Sequence, residues 1–156
     1  MDSSKDAAAL PAGAQALGLA GLVPFVAAAL ATLLLPEAGQ RELAGRVLLG
    51  YGAVILSFLG GVHWGLVLRD RPAQPFRPLA IGVLPSLLGW GSLFLPHEQA
   101  LAVQVACFGG FWLYEHRVLG PAVLPAEYLA LRRWLTLAVC ASLALALMGP
   151  SLVVAG

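Results

Sequence analysis

His63 is an ionisable residue set deep in an apolar stretch of this chain, Tyr51 to Gly65. It lies six residues before Arg69, about 9 Å along a helix from that charged boundary. An ionisable group at such a depth costs free energy unless it faces a neighbouring segment and finds a partner. One reading is a neutral imidazole bonded to a backbone carbonyl or a serine. The others are a ligand, a proton acceptor or a substrate contact. Further polar residues fall at comparable positions. Ser86 follows Pro85, which removes a backbone donor and frees a carbonyl about one turn earlier. Glu115, His116 and Arg117 close one apolar run, and Arg132 and Arg133 open the next. His63, Ser86, Glu115, His116 and Arg132 therefore form a candidate polar pocket on one side of the assembly. The competing explanation for the charged members is that helix ends snorkel toward the aqueous boundary.

Named chemistries do not follow from these residues. Paired histidine ligation of haem would need His63 and His116 to face each other, and no C-x-x-C-H motif is present. Zinc lacks third and fourth ligands. There is no G-x-S-x-G, no H-E-x-x-H and no phosphate-binding glycine loop. Cys107 and Cys140 sit in apolar runs without metal-ligand spacing, as small buried residues do. The reading is no catalytic set, no metal and no cofactor.

The elements that must position these groups are set by the solvent. Of 156 residues, 60% are hydrophobic and 11% charged, where a soluble domain carries about 25% charged. The apolar runs reach the roughly 20 residues that span a bilayer. The chain is expected to be all-α, a polytopic bundle of five transmembrane helices. The spans are placed at about 15–35, 47–68, 78–95, 97–117 and 131–154, after a short tail over 1–14. The first run is read as a retained span rather than a signal peptide, because Lys5 is offset by Asp2 and Asp6. Pro24 is expected to kink it, and Gly149-Pro150 to interrupt the last. Pro125 suits the start of the final helix. With five crossings, seven of the nine Lys and Arg residues fall on one side. By the positive-inside rule that puts the N-terminus inside and the C-terminus outside. A net charge of +1 makes no case for nucleic acid.

The second span also carries a packing pattern. Ala53, Ser57, Gly61 and Gly65 recur every four residues, with Gly60 and Trp64 beside them. Small residues at this spacing let helix backbones approach closely. Gly52, Leu56, Gly60 and His63 line a different face, so the helix is expected to be central.

These residues resemble the uncharacterised membrane family called domain of unknown function 3429, which takes in the eukaryotic mitochondrial transmembrane protein 69. The resemblance is carried by Tyr51 to Gly65, by Gly21-Leu22-Val23-Pro24-Phe25 and by Gly82 to Trp90. Leu124-Pro125, Tyr128, Leu131-Arg132 and Leu135-Thr136 complete it in order. The chain departs from the family pattern at Glu115, where an aspartate is usual, and at Ala126, where a tryptophan is usual. The resemblance implies a multi-span protein of a bacterial inner membrane or of mitochondria, and no activity.

Three functions fit. The first is a non-enzymatic binding, scaffold or accessory protein that contacts lipid and a membrane protein partner or further copies of itself. The second is a small oligomeric carrier or channel with a polar pocket around His63. The third is an enzyme acting on a lipid or quinone, with His63 as acid or base.

Overall fold

A computed structural model describes residues 12–70, 76–120 and 124–154, and every element in it is helical. Lys5, Arg71 and most of the N-terminal tail lie outside the described residues.

The first apolar run folds as two helices, α1 (Ala12–Ala20) and α2 (Val23–Leu34). The break at Gly21-Leu22 follows from Pro24, which cannot donate to the carbonyl four residues back. The freed region is not left unpaired: the Tyr51 hydroxyl donates to the Gly21 carbonyl at 3.0 Å. At its far end α2 is closed by Arg41, whose guanidinium donates to the Leu35 and Pro36 carbonyls at 2.8 and 2.9 Å.

α3 (Ala38–Asp70) has 33 residues, about 50 Å of helix. It starts well before the expected Val47. α4 runs Phe76–Ser92 and keeps Pro85 inside the helix. α5 covers His97–Tyr114 and continues into a wider five-residue π turn, Glu115–Leu119, closed by Gly120 at φ 48°. Only glycine adopts that backbone state readily. α6 (Ala126–Val154) begins directly after Pro125. It passes through Gly149-Pro150 without a break, which corrects the interruption expected there.

Neighbours in sequence are neighbours in space. α2 packs on α3, α3 on α4, α4 on α5, α5 on α6, and α6 returns to α2, while α3 also touches α5 across the ring. The core inside the ring is Phe25, Leu48, Leu56, Leu101, Phe108 and Leu143, each at most 1% exposed. Phe25 meets Tyr51 and Phe108 edge to face, with centroids 4.9 and 5.8 Å apart.

Much of the outside is apolar too. Phe58, Phe76, Trp90, Phe94, Trp134 and Leu34 are each more than 60% exposed. Water would penalise such a surface, since a soluble monomer rarely shows apolar patches beyond a few hundred Å². Among the described residues, three stretches are long and apolar enough to cross a membrane by themselves: Gly13–Leu34, Ala38–Asp70 and Ala126–Met148. α4 has 17 residues, about 26 Å against roughly 30 Å of hydrocarbon. α5 begins with His97, Glu98 and Gln99 and contains Gln104, which lowers its hydropathy.

The α3–α4 contact explains why α3 is glycine-rich. A methyl group added at Gly60 would run into the Gly82 carbonyl oxygen, so here the two backbones touch. At Gly89 an added methyl would lie 3.2 Å from the Ala53 Cα. At Gly82 it would lie 2.6 Å from the Trp64 ring. The buried face of α3 is thus Gly52, Leu56, Gly60 and His63, joined by Ala53. Ser57, Gly61 and Gly65 lie on the exposed side, and nothing comes within 4 Å of a methyl added at Gly61 or Gly65. The close-packing role expected of those three within this chain is therefore corrected. A stripe of period four shows that a face exists without showing which neighbour it meets.

Candidate functional site

The buried side chains His63, Gln104, Glu115 and Arg132 tie one helix to another, whereas Ser142 bonds a carbonyl of its own helix. His63 and Trp64, adjacent on α3, reach the first turn of α4. The His63 Nε2 lies 3.0 Å from the Pro78 carbonyl, and the Trp64 Nε1 donates to the Leu79 carbonyl at 2.9 Å. A carbonyl only accepts, so the His63 Nε2 carries the proton and its Nδ1 is left as an acceptor. That Nδ1 is buried with no hydrogen-bond partner among the described residues. The ring is held edge-on by Phe111 and Tyr114, at centroid distances of 6.0 and 5.6 Å. Gly82 leaves the space that both α3 rings occupy.

On the next turn of the chain, Glu115 and Arg132 form an ion pair. The Arg132 Nε is 3.0 Å from a Glu115 carboxylate oxygen, with side chains 7% and 3% exposed. The N–H is not aimed for a hydrogen bond, so the contact acts through charge. The Arg132 Nη1 donates to the Thr136 hydroxyl at 3.0 Å. The π turn that starts at Glu115 has a physical consequence: an extra residue per turn rotates the succeeding side chains about the helix axis. Glu115 is turned inward onto α6, while His116, Arg117 and Val118 are exposed. His116 stacks on Trp112 at 5.6 Å, outside the bundle.

The expected pocket of His63, Ser86, Glu115, His116 and Arg132 is therefore only partly assembled. Glu115 and Arg132 meet. His63 is linked to them through Tyr114, the residue before Glu115. Ser86 is half-buried at the α3–α4 crossing, its hydroxyl 3.5 Å from a methyl built at Gly60. His116 points away, a correction: adjacent residues on a helix point about 100° apart, and Glu115 takes the inward position. Cys107 and Cys140 are half-buried, not fully so. Among the described residues no three His, Cys, Asp or Glu side chains converge as a metal site would require.

A second polar centre was missed by sequence reading. Gln104, fully buried on α5, donates through its amide to the Leu49 carbonyl at 2.8 Å and to the Ser92 hydroxyl at 3.1 Å. Ser92 in turn donates to the Gly89 carbonyl at 2.7 Å. This trio joins α3, α4 and α5 at the end of the bundle away from Asp70. The amide occupies the room left by Gly52, whose added methyl would collide with the Gln104 side-chain oxygen. The available signal was one amide residue inside an apolar run. Gln104→Leu is expected to lower the unfolding temperature in detergent, and Gly52→Ala to lower it by a similar amount. Interhelical bonds of this kind are worth about 0.6 to 1.7 kcal/mol each.

A partly open apolar cavity of about 380 Å³ lies between α1, α2, α3 and α6, with Arg132 and Tyr128 in its wall. An open groove of about 550 Å³ runs between α4 and α5.

An apolar exterior, helices of spanning length and an interior stitched by polar ties define a helical membrane protein. The chain belongs to the family described as "Protein of unknown function (DUF3429)", which matches residues 10–148. It is similar to transmembrane protein 69 of Xenopus tropicalis, 39% identical over 140 residues, covering 85% of this chain and 53% of that protein. It is also similar to transmembrane protein 69 of Mus musculus, 32% identical over 114 residues, covering 71% and 46%. The chain thus spans about half the length of the curated relatives it matches. No solved structure matches it.

Proposed function

We propose that this chain is a five-crossing protein of a bacterial inner membrane, or its mitochondrial equivalent, and that it serves as a non-enzymatic binding or accessory subunit. The observation that carries this reading is the dispersal of its interhelical polar ties. Tyr51, Gln104 and Arg132 each fasten a different helix contact, and His63 and Trp64 together fasten α3 to α4. A catalytic site gathers such groups around one reacting centre within hydrogen-bond reach. Here they are distributed as fasteners, which stiffens a frame.

Five crossings are supported by packing. α4 lies along α3 from the Gly60–Gly82 contact to the Ala53–Gly89 contact, and α5 is wedged among α3, α4 and α6. A helix packed along a spanning helix shares its slab of lipid. Charge supports the direction, since arginines concentrate on the side of Asp70 and Gly120, which is then the inner side.

A small carrier is the second reading, favoured by the unpartnered Nδ1 of His63. Proteoliposomes separate the two. A scaffold or binding protein is expected to leave proton and sodium gradients decaying as in protein-free vesicles. Decay several-fold faster, and slowed by His63→Ala, would favour the carrier.

A further inference from the structure

We propose that the cavity between α1, α2, α3 and α6 binds an elongated apolar molecule ending in an uncharged, hydrogen-bond-accepting oxygen, such as a quinone carbonyl or a lipid ester carbonyl. This names the ligand class for the binding reading above and rests on it. Three observations converge. The first is size: about 380 Å³ falls within the roughly 300–1,000 Å³ of small-molecule pockets. The second is the wall. Leu22, Phe58, Leu59 and Leu135 make it apolar, and Tyr128 and Arg132 supply its hydroxyl and guanidinium. Ordered water needs two to four polar partners, so a wall this apolar suits a greasy occupant.

The third observation is an orphaned donor. Arg132 is 6% exposed, and its Nη2 makes no hydrogen bond of good geometry among the described residues, although the Tyr128 hydroxyl lies close to the guanidinium. Its Nη1 is taken by Thr136, and its Nε faces Glu115. Arginine does not shed its charge to escape such a position. A buried donor left without a partner costs free energy, which an acceptor oxygen in the cavity would recover. Charge selects the acceptor. Glu115 already neutralises the guanidinium, so a carboxylate ligand would set two anions against one cation in a poorly screened interior. A carbonyl oxygen takes the hydrogen bond without that repulsion. The larger groove between α4 and α5 has no charged residue in its wall and offers no comparable donor.

The test uses the full chain in mild detergent, titrated separately with decylubiquinone, monoolein and oleate. Native mass spectrometry reads the adduct, and thermal unfolding reads the stabilisation that a ligand of the native state confers. A saturable one-to-one adduct is expected with an uncharged probe, and the arm that binds identifies the source as quinone or lipid ester. Val62→Phe, which fills the cavity and leaves the ion pair intact, is expected to weaken binding at least tenfold. Glu115→Leu with Arg132→Met, which removes the donor and leaves no stranded charge, is expected to do the same. No saturable adduct with either uncharged probe overturns the proposal, as does tighter binding of oleate. Saturable binding unaffected by both variants overturns this cavity and leaves the binding reading standing. Conversion of a bound probe into product overturns the non-enzymatic reading and leaves the cavity standing.

Discussion

Gly60→Leu is expected to abolish accumulation of the folded protein, whereas Gly61→Leu, at the next position, is expected to leave the fold intact. The contrast comes from what each methyl would meet. At Gly60 the obstacle is the Gly82 carbonyl oxygen, a backbone atom that cannot rotate aside. Relief would require α3 and α4 to move apart, taking with them the His63–Pro78 and Trp64–Leu79 bonds. Ordinary overpacking costs about 1–3 kcal/mol. Loss of a helix contact with its polar ties exceeds that, and approaches the whole stability of a small domain, about 5–15 kcal/mol. At Gly61 nothing lies within 4 Å. Size-exclusion profiles of the two variants in detergent, with unfolding temperatures, check the pair. Equal behaviour of both would contradict the α3–α4 geometry. The same argument ranks Gly52 below Gly60, because at Gly52 the obstacle is the tip of the Gln104 side chain.

Arg132→Ala is expected to destabilise by about 3–5 kcal/mol, since it strands the Glu115 carboxylate in the interior. The paired replacement Glu115→Leu with Arg132→Met is expected to recover most of that loss. Removing both charges also removes both desolvation penalties. Unfolding temperatures of the single and double variants measure the difference. A double variant no more stable than Arg132→Ala would show that the pair acts through something other than its charges. Arg133 is the internal control. It lies one residue on, over the Trp134 ring at 5.6 Å, on the exposed face. An exposed contact of that kind is worth about 0.5–1 kcal/mol.

Element type was the most legible feature, because apolar runs of spanning length leave the chain few alternatives to helix. The α1–α2 break was legible in Pro24, and the start of α6 in Pro125. Facing was less so. Ala53, Ser57, Gly61 and Gly65 formed the more regular stripe, yet Gly60 makes the contact, because α4 offers a carbonyl from its own glycine, Gly82, at that height. Which glycine is used depends on two helices at once. Glu115 and His116 were indistinguishable as neighbours in sequence. Adjacent residues on a helix point about 100° apart, and which of the two faces inward depends on how α5 packs on α6. Gln104 was overlooked because its partners are the Leu49 carbonyl and Ser92, and Leu49 lies 55 positions away. α3 began earlier than its apolar run because Arg41 and Arg46 are satisfied at its start, by the end of α2 and by Glu42 at 3.1 Å.

The central claim is that α4 and α5 cross the membrane with the three longer helices, so that Gln99 and Asp70 lie on opposite faces. A chain with Cys107 and Cys140 replaced by alanine can carry a single cysteine at Glu37, Asp70 or Gln99. A membrane-impermeant maleimide is then applied to sealed cells with an accessible outer face. The expected result is labelling at Gln99 and Glu37 in sealed cells, and at Asp70 only after permeabilisation. Labelling of Gln99 only together with Asp70, after permeabilisation, would mean that α4 does not cross, and would contradict the five-helix account.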